Sequence, residues 1–209
     1  MKRFLSLLLC GCLCLALASC GGSLSEDYPY YEMEHSSMAP TVLLLYYPHT
    51  LEELEEHAKY IVEGIPVSRS LIGREVTPFR FYSDYEYDIF SCVRITKVYR
   101  GDLEAGEEIS LGEGCSIYGS DTNTLVSVYY NMPSEIGKKY LFFLNKSAAS
   151  EDDTYSLCIY ETGRYPVIDP EETPIESMSY QDFYISFDMS SYRALYAEVA
   201  EKYMHAPRP

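Results

Sequence analysis

Between residues 85 and 111 the chain reads YEYDIFSCVRITKVYRGDLEAGEEISL, a long strand, a glycine-punctuated turn and a second strand. Tyr85, Tyr87, Ile89, Val93 and Ile95 occupy alternate positions with Glu86, Asp88, Arg94 and Thr96 between them, the period of two of a half-buried strand. The phase slips after Ile95, where Val98 is the next aliphatic residue. One extra residue at Thr96 or Lys97 predicts a β-bulge, which bends a strand round a small barrel. The other segments are therefore read as partners of this ribbon, and the expectation is a mainly β fold.

The N-terminus carries an address. Met1-Lys2-Arg3 is basic, and residues 4–17 form an apolar run too short to span a bilayer, as in a secretory signal. Its end, Leu17-Ala18-Ser19-Cys20, resembles the lipobox of bacterial lipoproteins. That resemblance implies cleavage before Cys20, lipidation of its thiol, and residence on the extracytoplasmic face of a bacterial membrane. The 16 basic and 32 acidic residues give a formal charge of −16, which becomes −18 once Lys2 and Arg3 leave with the leader. No basic stripe exists for a phosphate backbone, so DNA and RNA partners are rejected. An acidic domain is also repelled by an anionic membrane surface.

Of seven cysteines, Cys10, Cys12 and Cys14 lie in the leader. Besides the lipid-bearing Cys20, Cys92, Cys115 and Cys158 remain, enough for at most one intramolecular disulfide. Their spacing resembles no compact zinc site.

Residues 20–48 mix Gly, Ser, Pro, acids and tyrosines and read as a tether, with the apolar run at 42–47 as an added strand or packing strap. Thr50 and Glu53 predict a capped helix carrying Leu51, Leu54, Ala58 and Ile61 on one face. Gly64 ends that helix or marks the crossing into a first barrel strand at about 61–71. Gly112-Glu113-Gly114-Cys115 and Gly119 predict a loop at the barrel rim, and residues 125–130 a further strand. Residues 131–134 read as a turn. Residues 139–144, apolar on both faces, predict a central strand covered by the barrel core on one side and a helix on the other. Strands at 155–160 and 165–168 complete the set, joined by a surface turn at 161–164. The barrel domain is placed at 49–168. A C-terminal extension, 169–209, holds an amphipathic helix at 191–204 with Tyr192, Leu195, Tyr196, Val199 and Tyr203 on its core-seeking face.

The segments LEELEEHAKYIVEG, VRITKVYRGDLEAGEEISL and PSEIGKKYLFFL, in that order, resemble a group of secreted bacterial lipoproteins. Those proteins hold a small OB-like barrel similar to the netrin-like module of tissue inhibitors of metalloproteinases. The resemblance spans roughly 50–168, and its most specific part pairs Arg100-Gly101-Asp102-Leu103 with the later strand from Ile136 to Leu144. It implies an OB-like barrel with a flanking N-terminal helix. It does not carry over protease inhibition, because those inhibitors chelate zinc with a free N-terminal cysteine on a disulfide framework, whereas here the lipobox resemblance implies an acylated cysteine and the cysteine count implies no such framework.

Catalytic signals are weak. The motifs G-x-S-x-G and H-E-x-x-H are absent from the sequence, and the histidines near the domain, His49 and His57, flank the first helix. Asp84, Glu86 and Asp88 share one strand face about 7 Å apart, either as a solvated face or as oxygen ligands for a cation. The 22 tyrosines serve either as strand formers or as a stacking platform for sugars or peptides. The expected function is a lipid-anchored binding or structural module without catalytic activity or cofactor, facing an envelope protein or polysaccharide. The alternative is an envelope hydrolase or metal-dependent enzyme with a site near residues 112–119.

Overall fold

Two apolar layers share one strand, and that strand organises the structure. The computed structural model describes residues 34–38, 48–75, 85–118, 124–128, 131–147, 154–159, 162–169, 172–179, 182–183 and 190–204. Its strands are β1 (Glu34–Met38), β2 (Tyr60–Glu75), β3 (Tyr85–Arg100), β4 (Glu108–Tyr118), β5 (Thr124–Val128), β6 (Tyr140–Lys146), β7 (Thr154–Leu157) and β8 (Arg164–Pro166). Helix α1 spans Leu51–His57, and α2 (Ser190–Val199) continues as a π-helical segment through Ala200–Met204. The leader, Cys20, the run at 42–47 and Asp84 lie outside the described residues. Among the described residues, no helix is long and apolar enough to cross a membrane.

Strands β2, β3, β4, β7 and β6 pair in that order and close on themselves through β6 and β2. The β4–β7 pairing is parallel and the others antiparallel, which is the connectivity of an OB barrel. Beyond the ring the sheet continues from β4 to β5 and then to β1. The predicted bulge is present: Glu63 pairs with Lys97 and Gly64 with Ile95, so Thr96 is passed over. Further slips fall at Tyr99 and at Val67, so the barrel's curvature is spread over three points.

In β6 the alternation sorts side chains between the layers. Tyr140, Phe142 and Leu144 join Val62, Ile89, Val93, Ile95 and Leu111 inside the barrel. Leu141 and Phe143 face outward and are covered by Leu54 of α1 and by Tyr192, Leu195, Tyr196 and Val199 of α2. All five residues from Tyr140 to Leu144 are fully buried, as the two-sided apolar run predicts. Each large side chain so buried contributes about 1.5–3 kcal/mol.

Helix α1 is shorter than its apolar spacing predicts. The Thr50 cap forms, its hydroxyl accepting the Glu53 N–H at 3.3 Å, while the Glu53 carboxylate takes the His49 N–H at 2.7 Å. The far end is set by the sheet. Lys59 N–H donates to Leu144 O and to Asn145 Oδ1, so the chain leaves the helix after His57 and Ile61 enters the second core from a strand. Gly64 is therefore a strand residue, not a helix end. A Cβ there would stand 2.5 Å from Val93 Cγ1, so glycine lets β2 lie close across β3.

Four other expectations are corrected. The stretch from Gly112 to Tyr118 is strand, not a rim loop. Residues 162–164 turn the chain as expected but are buried and not at the surface, and residues 131–134, read as a turn, are buried as well. The tether is interrupted by β1, which pairs in parallel with β5 from Glu34 opposite Thr124 to Met38 opposite Val128. The C-terminal extension is integral to the domain: Met178, Phe183 and α2 form one side of the second core.

Candidate binding site

Among the described residues, a concentrated cluster of buried polar groups lies inside the barrel. On β4, Ile109, Leu111, Cys115 and Ile117 point inward, and Glu113 shares their parity. Asp88 pairs with Ser116 and Phe90 with Gly112, so residues 113–115 bulge opposite Ile89 alone, with Gly114 at a φ of 68°. The bulge carries the Glu113 carboxylate into the interior, where it is fully buried. One oxygen accepts Ser91 Oγ–H at 2.7 Å and Ser134 N–H at 3.2 Å. The other accepts Ser134 Oγ–H at 3.0 Å and Arg164 Nη1–H at 3.2 Å.

Arg164 is held as firmly, its Nη1 also donating to Met132 O at 2.7 Å and Ser134 Oγ at 3.0 Å. Asn131 Nδ2 donates to Glu113 O, and Arg69 Nη2 to Ser134 O. Glu113 and Ser134 are fully buried and Arg164 is 2% exposed. A buried ion pair with its lone pairs filled in this way organises chain; it does not meet solvent-borne substrate. What it organises is the segment 131–134, pinned against the barrel by both members of the pair.

The thiols are equally withdrawn. Cys92, Cys115 and Cys158 are all free, so the one disulfide the count permits is not formed. Burial raises Cys115 well above the ordinary thiol value, with the Glu113 charge adding to it, and burial pushes Cys158 up to about 12. Cys92, on the outward parity of β3, is raised by partial burial and by the Glu108 carboxylate 3.6 Å away. These groups stay protonated near neutral pH and are poor nucleophiles.

An open depression lies on the other side of β6 and β8. It encloses about 250 Å³ and is lined by Lys138, Pro166, Val167, Ile168, Thr173, Ser177, Met178 and Asp182. Its floor is apolar and its rim carries one cation and one anion. The Lys138 ammonium stands 3.1 Å from Glu135 Oε2. Asp182 Oδ2 accepts the Ser179 N–H and Oγ–H at 2.7 and 2.8 Å, and these bonds hold its carboxyl below the usual range, aided by the Lys138 and Arg193 charges. Behind the rim, the Arg193 guanidinium lies 4.8 Å over the Phe183 ring and donates to Ile175 O. The volume is below the roughly 300–1,000 Å³ of pockets that enclose drug-sized ligands. It suits one side chain or one sugar ring of a larger ligand.

The residues singled out from sequence do not converge on this depression. Asp88 accepts Ser116 Oγ–H at 2.7 Å on the sheet, and Glu86 lies in register with Tyr118 and Arg74. His49 and His57 are exposed at the two ends of α1. Among the described residues, no three His, Cys, Asp or Glu groups gather to hold a metal ion. Tyrosines 60, 140, 155, 165, 192 and 196 are buried, so these rings are packing elements, with Tyr165 and Tyr192 stacked at 5.0 Å. Sequence reasoning puts Glu113 in a rim loop and Arg164 in a surface turn, and it misses that the two are buried as a pair. A signal for Glu113 was present in its parity with Leu111 and Cys115, whereas nothing local marks Arg164 as its partner.

Comparison of the chain with protein-family models and with curated proteins finds no match. The fold and site define a class: a small OB-type barrel with a helical layer packed on one outer face and a shallow, charge-rimmed depression beside it.

Proposed function

We propose that this protein is a lipid-anchored extracytoplasmic binding module that performs no catalysis and grips a protruding residue of an envelope protein. The observation that carries the reading is the depression at Lys138 and Asp182, an apolar floor between opposite charges on a rigid two-core frame. Such a rim fits an amphipathic side chain flanked by backbone dipoles better than a uniformly hydroxylated sugar. The lipobox-like Leu17-Ala18-Ser19-Cys20 supports the anchor, and the polar groups of the barrel interior are engaged in holding the chain.

A photo-crosslinking amino acid at position 138 of the lipidated protein, activated in intact cells, tests the reading. A discrete protein adduct is expected, lost when Met178→Arg fills the floor and absent when the crosslinker sits at position 102. A polysaccharide adduct would replace the partner class, and the same adducts from both positions would overturn the site. Cys20→Ala is expected to leave the membrane fraction or remain unprocessed; unchanged lipid labelling would overturn the anchor.

A further inference from the structure

We infer that the protein stands on the membrane with the far ends of β2 and β3 toward the lipid and the turn after Arg100 pointing away. The inference rests on the lipid anchor proposed above, and adds an orientation that the anchor alone does not specify. Strand β1 decides it. Residue Glu34, where β1 begins, lies in one row with Thr124, Tyr118, Glu86 and Arg74 across β5, β4, β3 and β2. That row is at the opposite end of the sheet from Ile61 and Arg100, where α1 leads into β2 and β3 runs out into its turn. The chain therefore joins the fold at the Arg74–Glu86 end and runs in β1 toward the barrel.

Covalent reach does the rest. Residues 21–33 separate Cys20 from β1, and a chain of that length spans at most about 45 Å at ~3.3–3.6 Å per residue. From Glu86 to Arg100, β3 has a contour of at most about 45 Å at ~3.3 Å per residue, and its bulges shorten the straight span. To bring the Arg100 end down to the lipid, the connecting residues would have to cover most of that span alongside the domain. That requirement leaves far fewer chain arrangements than are available when Glu34 faces the bilayer, so chain entropy disfavours it. The lipid headgroup surface thus faces the row through Arg74 and Glu86, and the Gly101–Gly106 turn lies on the side away from the lipid.

Energy transfer to an acceptor lipid reads this directly. The lipidated full-length protein is reconstituted in phosphatidylcholine vesicles with a donor dye on a ketone-bearing amino acid at position 72 or 102, which leaves every cysteine untouched. Ile72 is 54% exposed beside the membrane-facing row, and Asp102 is exposed in the distal turn. Transfer from position 72 is expected to exceed that from 102 by at least about twofold, given their separation along the strands. Inserting about twenty Gly/Ser residues after Gly22 is expected to narrow the difference, because the longer connection no longer limits tilt. Equal or reversed transfer in protein that floats with the vesicles overturns the orientation alone. Protein that does not float overturns the anchor, and the orientation falls with it. A difference untouched by the insertion overturns the connecting length as its cause.

Discussion

Replacing Glu113 with leucine removes the carboxylate that accepts from Ser91, Ser134 and Arg164 while keeping a side chain of similar bulk in the barrel. Removing one partner of a buried pair costs about 3–5 kcal/mol, because the other charge is left in the core. Two facts set the value here. Arg164 Nη1 retains Met132 O and Ser134 Oγ, which softens the loss, while the buried Ser134 N–H is orphaned at a cost of about 1–3 kcal/mol. The expected destabilisation stays at about 3–5 kcal/mol, a large share of a domain stability of about 5–15 kcal/mol. At about 2–4 °C per kcal/mol for a chain of this size, the melting temperature falls by about 6–20 °C. Thermal denaturation followed by near-ultraviolet circular dichroism reads it, since the signal comes from 22 tyrosines without tryptophan. The double variant Glu113→Leu with Arg164→Met is expected to be more stable than the sum of the singles by about 2 kcal/mol. A single variant within about 0.5 kcal/mol of wild type, or strictly additive singles, would refute the assignment of the pair as the pin for residues 131–134.

Phe142→Ala, in the strand shared by both cores, is expected to cost about 3–5 kcal/mol, whereas Cys92→Ser on the outward face of β3 shifts stability by no more than about 0.5 kcal/mol; the reverse order in melting experiments would invalidate the strand parity. Gly64→Ala should lower the melting temperature by several degrees, because the added methyl meets Val93 at 2.5 Å; a neutral result would show that β2 and β3 can part there. Burial holds the phenols of Tyr99, Tyr140, Tyr196 and Tyr203 above their ordinary value of 10.0, with Glu63 and Glu55 adding to the effect at Tyr99 and Tyr203. Their contribution is complete below pH 10 and lost as pH rises through the raised folded values, so melting temperatures compared at pH 8 and 11 should fall. Burial pushes Glu55 upward, but hydrogen bonds from Lys202 and Tyr203 outweigh it and hold the carboxyl below 4.5. Protection factors in residues 200–204, measured against the intrinsic exchange rate at each pH, are therefore expected to fall as pH drops through and below 4.5, and unchanged protection would refute the clamp.

The strand at 85–100, the inward face of Ile89, Val93 and Ile95, and a bulge at Thr96 or Lys97 follow from alternation alone, because side-chain direction in a strand follows sequence parity. The two-sided burial of residues 140–144 was equally legible, since a run apolar at every position has to be covered on both faces. Where α1 stops was not legible: the donors that end it, Lys59 N–H and the Asn145 amide, find acceptors 85 and more residues away. The burial of Arg164 was hidden for the same reason. In sequence it sits in a polar turn beside Gly163, and only closure of the barrel brings it within 3.2 Å of a glutamate on another strand. The depression at Lys138 and Asp182 exists only because the chain after β8 folds back over the outer face of β6, and no local pattern encodes that return. Periodicity is written by the residue's own neighbours along the chain, and it determined the long strand at 85–100, the central strand at 140–144 and the apolar face of the C-terminal helix. Ion pairs, pockets and helix ends depend on which distant backbone arrives alongside, and those were decided by the tertiary structure.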